Sequence, residues 1–164
     1  MFFKETIRST VGYHFWANER IKNKAAELVL ANPDAYTEDM GIGHGSLHTT
    51  LAHMLRAEYV WLGLIKAGTA PQIGFVLAEH QTLEALEKVW KKVEVEYLQY
   101  LDRIEDEAFE EIVNTADQNG IITPIPRWRM LQHVLYHSAQ HRAEAALILT
   151  HLGHSPGDLD FIYY

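Results

Sequence analysis

The chain has 164 residues, a length that one folding domain accounts for, and we expect residues 1–164 to form a single domain. Cysteine is absent, which excludes disulfides, thiolate nucleophiles and cysteine-ligated metal sites, so any metal must be bound by His, Asp, Glu or water. The formal net charge is −8 and the lysines alternate with glutamates, which argues against a nucleic-acid partner because phosphate binding needs a basic surface.

The sequence also lacks the signals of a secreted or membrane protein. Its opening segment, MFFKETIRST, carries charges where a signal peptide requires an apolar run. No apolar run approaches the roughly eighteen residues that a membrane helix requires. We therefore expect a cytoplasmic protein without a membrane partner.

Apolar residues recur with helical periodicity over two long segments in the first half of the chain. The first helix is predicted from about residue 3 to residue 30, because the Asn32-Pro33 pair interrupts helix formation. Ser46 is a suitable N-cap for a second helix that continues to about Ala67. Gly68 then ends this helix.

A third helix, a short hairpin and a fourth helix are predicted in the second half. The third helix spans about residues 75–104. Two β-prone runs, residues 112–113 and 121–123, flank an Asn119-Gly120 turn and predict a hairpin. The fourth helix occupies about residues 127–153. Because long helices must bury their apolar stripes on one another, the predicted fold class is all-α: a four-helix bundle with long helices and a small β-hairpin between helices 3 and 4.

The last helix carries histidines at successive four-residue steps, His133, His137 and His141. Side chains four residues apart lie roughly 6 Å apart along one helix face, so an adjacent pair can bind one ion, whereas all three cannot easily do so. Helical projection places His137 and His141 at the edge of the apolar arc and His133 outside it. We therefore predict His137 and His141 as metal ligands and His133 as a rim residue. The alternative is a run of histidines along a polar boundary.

The second helix offers two more histidines, His48 and His53. His48 projects to a face with Arg56 and Lys66, which indicates a solvated side chain. His53 projects to an apolar stripe, and a histidine that faces a packed interior must satisfy its ring nitrogens. His53 is therefore the predicted third ligand, with a core histidine bonded to a backbone carbonyl as the alternative.

Two charged residues project into the middle of apolar stripes, Glu58 in the second helix and Arg142 in the fourth. An unpaired charge at such a position is very costly. We expect the two to pair with each other across the interface between helices 2 and 4. The alternative is that one of these stripes faces solvent or a dimer interface.

The sequence lacks the motifs of several other metal and nucleotide sites, which excludes those sites. Di-iron bundles need Glu-x-x-His on two helices, and zinc proteases need His-Glu-x-x-His; the sequence has neither. The glycine-rich stretch at residues 41–45 follows no predicted strand and lacks the Lys-Ser/Thr ending of a phosphate-binding loop.

Short motifs in a fixed order resemble those of the DinB/YfiT-like metal-dependent proteins. The matching residues are Tyr13, Trp16, Ala17 and Asn18; Gly45-Ser46-Leu47-His48 and Leu51-Ala52-His53; Ala57-Glu58 and Trp61-Leu62; Gly120; HVLYHSAQHRAE; and Leu152-Gly153, Pro156, Asp158, Asp160 and Tyr163. One departure lies after His141-Arg142, where the family usually has Gly-Gln and this chain has Ala143-Glu144.

The resemblance implies a four-helix bundle that binds one divalent ion, nickel or zinc first and manganese or iron as alternatives. By position its ligands are His53, His137 and His141. It also implies a homodimer, which agrees with the crowding of Tyr13, Phe15 and Trp16 in one short segment. The alternative is that these rings belong to the core.

An ion bound by three neutral imidazoles keeps coordination positions open to water or substrate, which is typical of catalytic sites. The resemblance implies a metal-dependent enzyme, a thiol transferase or a hydrolase, with a low-molecular-weight thiol or another small molecule as substrate. The alternative is a non-catalytic metal-binding protein of the stress response whose bundle mediates association.

Overall fold

The structure is a computed structural model that describes residues 2–71, 79–116 and 119–164. The described residues form four α-helices: α1 (Phe2–Ala31), α2 (Leu47–Ala67), α3 (Leu83–Arg103) and α4 (Arg127–His151). Two antiparallel strands, β1 (Ile112–Ala116) and β2 (Ile122–Pro126), lie between α3 and α4. The predicted helical bundle with a small hairpin before its last helix is confirmed. Within the described ranges, every helix is too short or too polar to cross a membrane.

Each helix packs mainly against two neighbours, in the cyclic order α1, α4, α2, α3. The contact between α2 and α4 is the most extensive. Apolar side chains from all four helices fill the space between them, among them the fully buried Ile21, Leu51, Trp90 and Leu149. The relative position of α2 and α4 is therefore the one that core packing defines most strongly.

Local capping fixes both ends of α2, as the sequence predicts. The Ser46 hydroxyl accepts a hydrogen bond from the Thr49 N–H at 3.1 Å, and the Thr49 hydroxyl accepts one from the Ser46 N–H at 3.0 Å. This reciprocal pair is a capping box. At the other end Gly68 has φ +72°, a left-handed conformation that glycine adopts without steric cost.

The predicted start of the third helix, at about residue 75, is wrong. The helix begins at Leu83, and residues 79–82 precede it. The Thr82 side chain accepts a hydrogen bond from the Ala85 N–H at 3.2 Å, so Thr82 caps the first turn and sets the boundary. The remainder of the predicted extension, residues 72–78, lies outside the described residues.

The predicted solvated position of His48 is also wrong, because its exposed fraction is only 7%. A short 3₁₀ helix, Pro33–Tyr36, covers the first turn of α2, and the Tyr36 hydroxyl lies 3.3 Å from His48 Nδ1. Helical projection treats one helix at a time and does not include a connecting segment that folds over it. His48 is therefore a buried core histidine with a tyrosine partner.

Arg127 connects the first turn of α4 to the end of α2. Its Nε donates to the Ile65 carbonyl at 3.1 Å. Its Nη1 donates to the Ala108 carbonyl at 2.5 Å and to the Glu111 carboxylate at 2.6 Å. These bonds limit sliding of α4 along α2 at this end of the bundle.

A carboxylate with no solvent exposure lies at the centre of the bundle, that of Glu58 on α2. Its Oε1 accepts hydrogen bonds from His14 Nε2 at 3.0 Å and from Asn18 Nδ2 at 2.9 Å, both on α1. Its Oε2 accepts one from Trp90 Nε1 of α3 at 2.6 Å. The Ser138 hydroxyl of α4 lies 3.5 Å from Oε1. One side chain therefore contacts all three other helices.

Arg142 on α4 completes this network at 3% exposure. Its Nη1 donates to His14 Nδ1 at 2.8 Å and to Asn18 Oδ1 at 3.0 Å. A guanidinium has no acceptor, so His14 Nδ1 must be the unprotonated nitrogen, and Nε2 carries the hydrogen that points to Glu58. We refer to Glu58, Arg142, His14, Asn18 and Trp90 as the buried polar network.

The sequence predicts a direct pair of Glu58 and Arg142, whereas the structure connects them through His14 and Asn18. The projection nevertheless places both residues correctly in the interior. Burial raises the pKa of Glu58, but the contact with His14 and the hydrogen bonds from Trp90 and Asn18 outweigh burial, so the pKa of Glu58 lies below its ordinary value.

We predict that Glu58→Gln lowers the free energy of unfolding by about 3 kcal/mol, because an amide NH₂ would face hydrogen-bond donors and Arg142 would lose its nearby anion. Urea denaturation measures this loss. The control is Glu96→Gln, which breaks an exposed pair with Lys66 and should change stability by less than about 1 kcal/mol. A Glu58→Gln protein as stable as the wild type would contradict the assigned role.

The stability difference between the wild type and Glu58→Gln is also predicted to depend on pH. A carboxyl group whose pKa is lowered by folding contributes stability above its ordinary value of 4.5, and this contribution is lost as the pH falls through the lowered pKa. The stability difference between wild type and Glu58→Gln should therefore be constant near neutral pH and shrink below 4.5. Urea titrations at a series of pH values test this, and a difference that grows on acidification would contradict it.

Candidate metal centre

Helices α2 and α4 bring three histidines together. His53 of α2 and His137 of α4 approach with 3.2 Å between their Nε2 atoms. His141 lies one turn further along α4, and its ring centroid is 4.6 Å from that of His53 and 4.4 Å from that of His137. The contact between the two helices therefore places the three histidines singled out from the sequence side by side.

A fourth histidine, His44, reaches the same place from the loop before α2. Its ring stacks on that of His53, with centroids 3.8 Å apart and planes inclined by 26°. The loop turns sharply at Gly43 and Gly45, whose φ angles of +54° and +95° favour glycine. The Thr49 hydroxyl donates to the His44 carbonyl at 2.7 Å. The first turn of α2 thereby holds the loop that carries His44.

We refer to His44, His53, His137 and His141 as the histidine cluster. One ring nitrogen from each of His44, His53 and His141 lies within 4.8 Å of the others. His141 is buried, His53 and His137 are partly buried, and His44 is exposed. The cluster therefore extends from the interface between α2 and α4 to the surface, where an ion or a small molecule can reach it.

Burial and mutual repulsion keep additional protons off His53 and His137. Burial lowers the pKa of His53 to about 4, with further contributions from three neighbouring histidines and from Arg56. Burial also lowers the pKa of His137, again with neighbouring histidines contributing. Both rings are neutral near physiological pH, and a neutral imidazole offers the lone pair that a metal ion requires.

The second ring nitrogens of His141 and His137 have different surroundings. His141 Nδ1 lies 2.7 Å from Glu144 Oε2, so the carboxylate accepts the Nδ1 hydrogen and the lone pair of this ring is on Nε2. His137 Nδ1 is buried and has no hydrogen-bond partner among the described residues. A buried ring nitrogen without a hydrogen-bond partner is unusual in a folded protein.

The remaining histidine of the predicted series, His133, is exposed at the edge of the cluster. Its ring centroid is 4.4 Å from the Trp61 ring and 5.6 Å from that of His137. This position agrees with the rim position that projection indicates.

Sequence reasoning missed His44. The glycine-rich stretch at residues 41–45 is evaluated above only as a phosphate loop, and a loop residue has no helical face to project. A local signal exists, because His44 stands between two glycines immediately before Ser46, the N-cap of the helix that carries His53. A histidine on a tight glycine loop that precedes a helix with another candidate ligand is itself a candidate metal ligand.

A sequence model described as the DinB family matches the chain over residues 1–164, its whole length. The chain belongs to the DinB family. A search of curated proteins found no significant match. The family assignment agrees with the motif resemblance, and within this DinB chain the three-histidine group of His44, His53 and His141 could hold a metal ion. The ligand set that includes His137 stays a prediction.

The residues of this DinB site fit a divalent ion. Imidazole nitrogen is a common ligand of zinc, nickel and iron. Two nitrogens bound to one tetrahedral ion at about 2.0–2.1 Å lie about 3.3 Å from each other. The 3.2 Å between the Nε2 atoms of His53 and His137 is close to that value.

We predict that His53→Ala and His141→Ala each weaken binding of zinc or nickel by more than about 100-fold, since removing only the hydrogen-bond partner of a ligand already costs about 10–100-fold. The effects of His44→Ala and His137→Ala in the same assay show which of these two rings completes the ligand set. Isothermal titration calorimetry of protein purified without an affinity tag measures the affinities.

The matched control for these variants is His151→Ala. His151 is an exposed histidine near the end of α4, and its Nδ1 lies 2.9 Å from the Leu147 carbonyl. Its removal should leave metal affinity unchanged. Equal affinities of wild type, His53→Ala and His141→Ala would show that the histidine cluster is not the binding site.

Proposed function

We propose that this DinB protein binds one divalent metal ion through the histidine cluster and is a metal-dependent enzyme. The observation that supports this most strongly is the approach of imidazole rings from α2, from α4 and from the loop before α2. A single core histidine is commonly satisfied by a backbone carbonyl, but a group of rings whose nitrogens face one another has no such explanation.

The proposed ligands are His53, His137 and His141, with His44 as the ring that replaces His137 or joins it. The short separation of His53 Nε2 and His137 Nε2 supports the first set. The grouped nitrogens of His44, His53 and His141 support the second. Nickel or zinc is the proposed ion, because an all-imidazole set suits these metals, and manganese or iron are the alternatives.

The proposed reaction is transfer of a low-molecular-weight thiol to an electrophile, or a related hydrolysis. A bound divalent ion acts as a Lewis acid and favours the deprotonated form of a thiol or water. The chain has no cysteine, so the reacting thiol must come from a substrate. In the transfer, the thiol sulfur forms a bond to the electrophilic carbon while the leaving group departs, and the thiol proton is released to solvent. The exposure of His44 supports access of such a substrate to the cluster.

We predict turnover of a small thiol with a haloaromatic electrophile that is abolished by a chelator and restored by adding zinc or nickel. Release of halide or the absorbance of the thioether product measures the rate. His53→Ala should lose this activity, whereas His151→Ala should retain it because His151 lies at the exposed end of α4.

The outcome that contradicts the enzymatic proposal is also specific. If the wild-type protein binds the ion but turns over neither thiols nor hydrolysable esters and amides, the catalytic proposal fails. That result would favour the second candidate, a non-catalytic metal-binding protein of the stress response.

A homodimer is proposed from the family resemblance alone. The aromatic residues that suggest it in the sequence have partners within the chain: Tyr13 lies edge-on to Phe161, with centroids 5.1 Å apart, and Trp16 lies 6.0 Å from Tyr164. Analytical ultracentrifugation distinguishes the dimer from the monomer.

A further inference from the structure

Glu144 is the acidic residue in contact with the histidine cluster. Its Oε2 lies 2.7 Å from His141 Nδ1, and the two residues are one turn apart on α4. The side chain of Glu144 is 24% exposed and that of His141 is 9% exposed, so the contact is largely shielded from solvent. A hydrogen bond between an imidazole N–H and a carboxylate fixes both the ring orientation and the tautomer.

Glu144 also contacts the loop that carries His44. A Cβ atom placed on Gly43 would lie 2.7 Å from Glu144 Cδ, closer than real Cβ contacts allow, and 3.2 Å from Glu144 Cβ. The absence of a side chain at Gly43 is therefore what admits the carboxyl group. Since His44 follows Gly43 directly, a single side chain contacts both His141 and the loop that positions His44.

We propose that Glu144 is a positioning residue of the metal centre. It holds His141 with Nδ1 protonated and Nε2 available to the ion, and it packs the Gly43–His44 segment against the site. This inference rests on the proposed metal-binding function and adds to it the residue that orients one ligand. The other cluster residue of α4, His137, has no such contact among the described residues, because its buried Nδ1 is without a hydrogen-bond partner.

The test compares Glu144→Ala and Glu144→Gln with the wild type in zinc titrations of tag-free protein. Glu144→Ala should weaken zinc binding by about 10–100-fold, the usual cost of removing a hydrogen-bond partner from a metal ligand. Glu144→Gln should lose much less, because its amide oxygen can still accept the Nδ1 hydrogen of His141. Rescue by glutamine is not expected if the carboxylate acts through its charge or binds the ion itself.

The matched controls are Glu94→Ala and Glu94→Gln. Glu94 follows its partner Lys91 by three residues on α3, just as Glu144 follows His141, and its side chain is 20% exposed. Both substitutions remove one acidic group of similar exposure from another helix. Zinc affinity should therefore remain within about twofold of the wild type, because α3 contributes no residue to the histidine cluster and a salt bridge of this kind is worth little energetically.

A second measurement reports the proposed role without any metal. Long-range ¹H–¹⁵N correlation spectra of the histidine rings distinguish the two neutral tautomers, and His141 should be protonated on Nδ1 in the wild type and in Glu144→Gln. In Glu144→Ala this preference should be lost. The tautomer measurement also tests the role of Glu144 if Glu144→Ala proves less stable than the wild type, because the His141 tautomer in Glu144→Gln can then be compared with that in the wild type.

The outcomes separate this inference from the function on which it rests. If the wild type binds no zinc or nickel, the proposed function fails and the inference with it. If the wild type binds zinc and Glu144→Ala binds it equally well with an unchanged His141 tautomer, the metal centre stands and only the role of Glu144 is overturned.

Discussion

The buried carboxylate of Glu58 is the constraint on which the rest of the structure depends. A charge with no exposure must be fully hydrogen-bonded, and the donors to Glu58 come from α1, α3 and α4. Two residues of α4 take part in this arrangement, Ser138 and Arg142. In the sequence, Ser138 directly follows His137, and Arg142 directly follows His141. The position of α4 that satisfies the interior therefore also sets which α4 histidines lie opposite His53.

The protein thus places two kinds of polar group at different depths of one helix interface. In the interior, His14 and Asn18 connect a buried cation to a buried anion, so that both charged groups are hydrogen-bonded. Nearer the surface, burial keeps His53 and His137 of the histidine cluster without charge, and their Nε2 atoms face one another. The buried polar network holds the helices in a fixed relative position, and the histidine cluster provides metal ligands on those helices.

How much the sequence predicts depends on whether a residue acts within its own helix. Periodicity and capping residues predict α2 between Ser46 and Gly68, and projection places His53, Glu58 and His141 on inner faces. Helical projection does not predict contacts made by connecting segments. For this reason the sequence analysis misses His44, which lies in a loop, and assigns His48, which a connecting segment contacts, to solvent. The indirect link between Glu58 and Arg142 could not be predicted either, since its middle members lie on α1, which is distant in sequence.

The most direct test of the account is X-ray absorption spectroscopy of tag-free protein loaded with one equivalent of zinc or nickel. Because imidazoles from two helices share one ion in this account, the spectrum should show at least three histidine ligands, with metal–nitrogen distances of about 2.0–2.1 Å for zinc. A spectrum that fits oxygen ligands alone, or a protein that retains no stoichiometric ion, would contradict it.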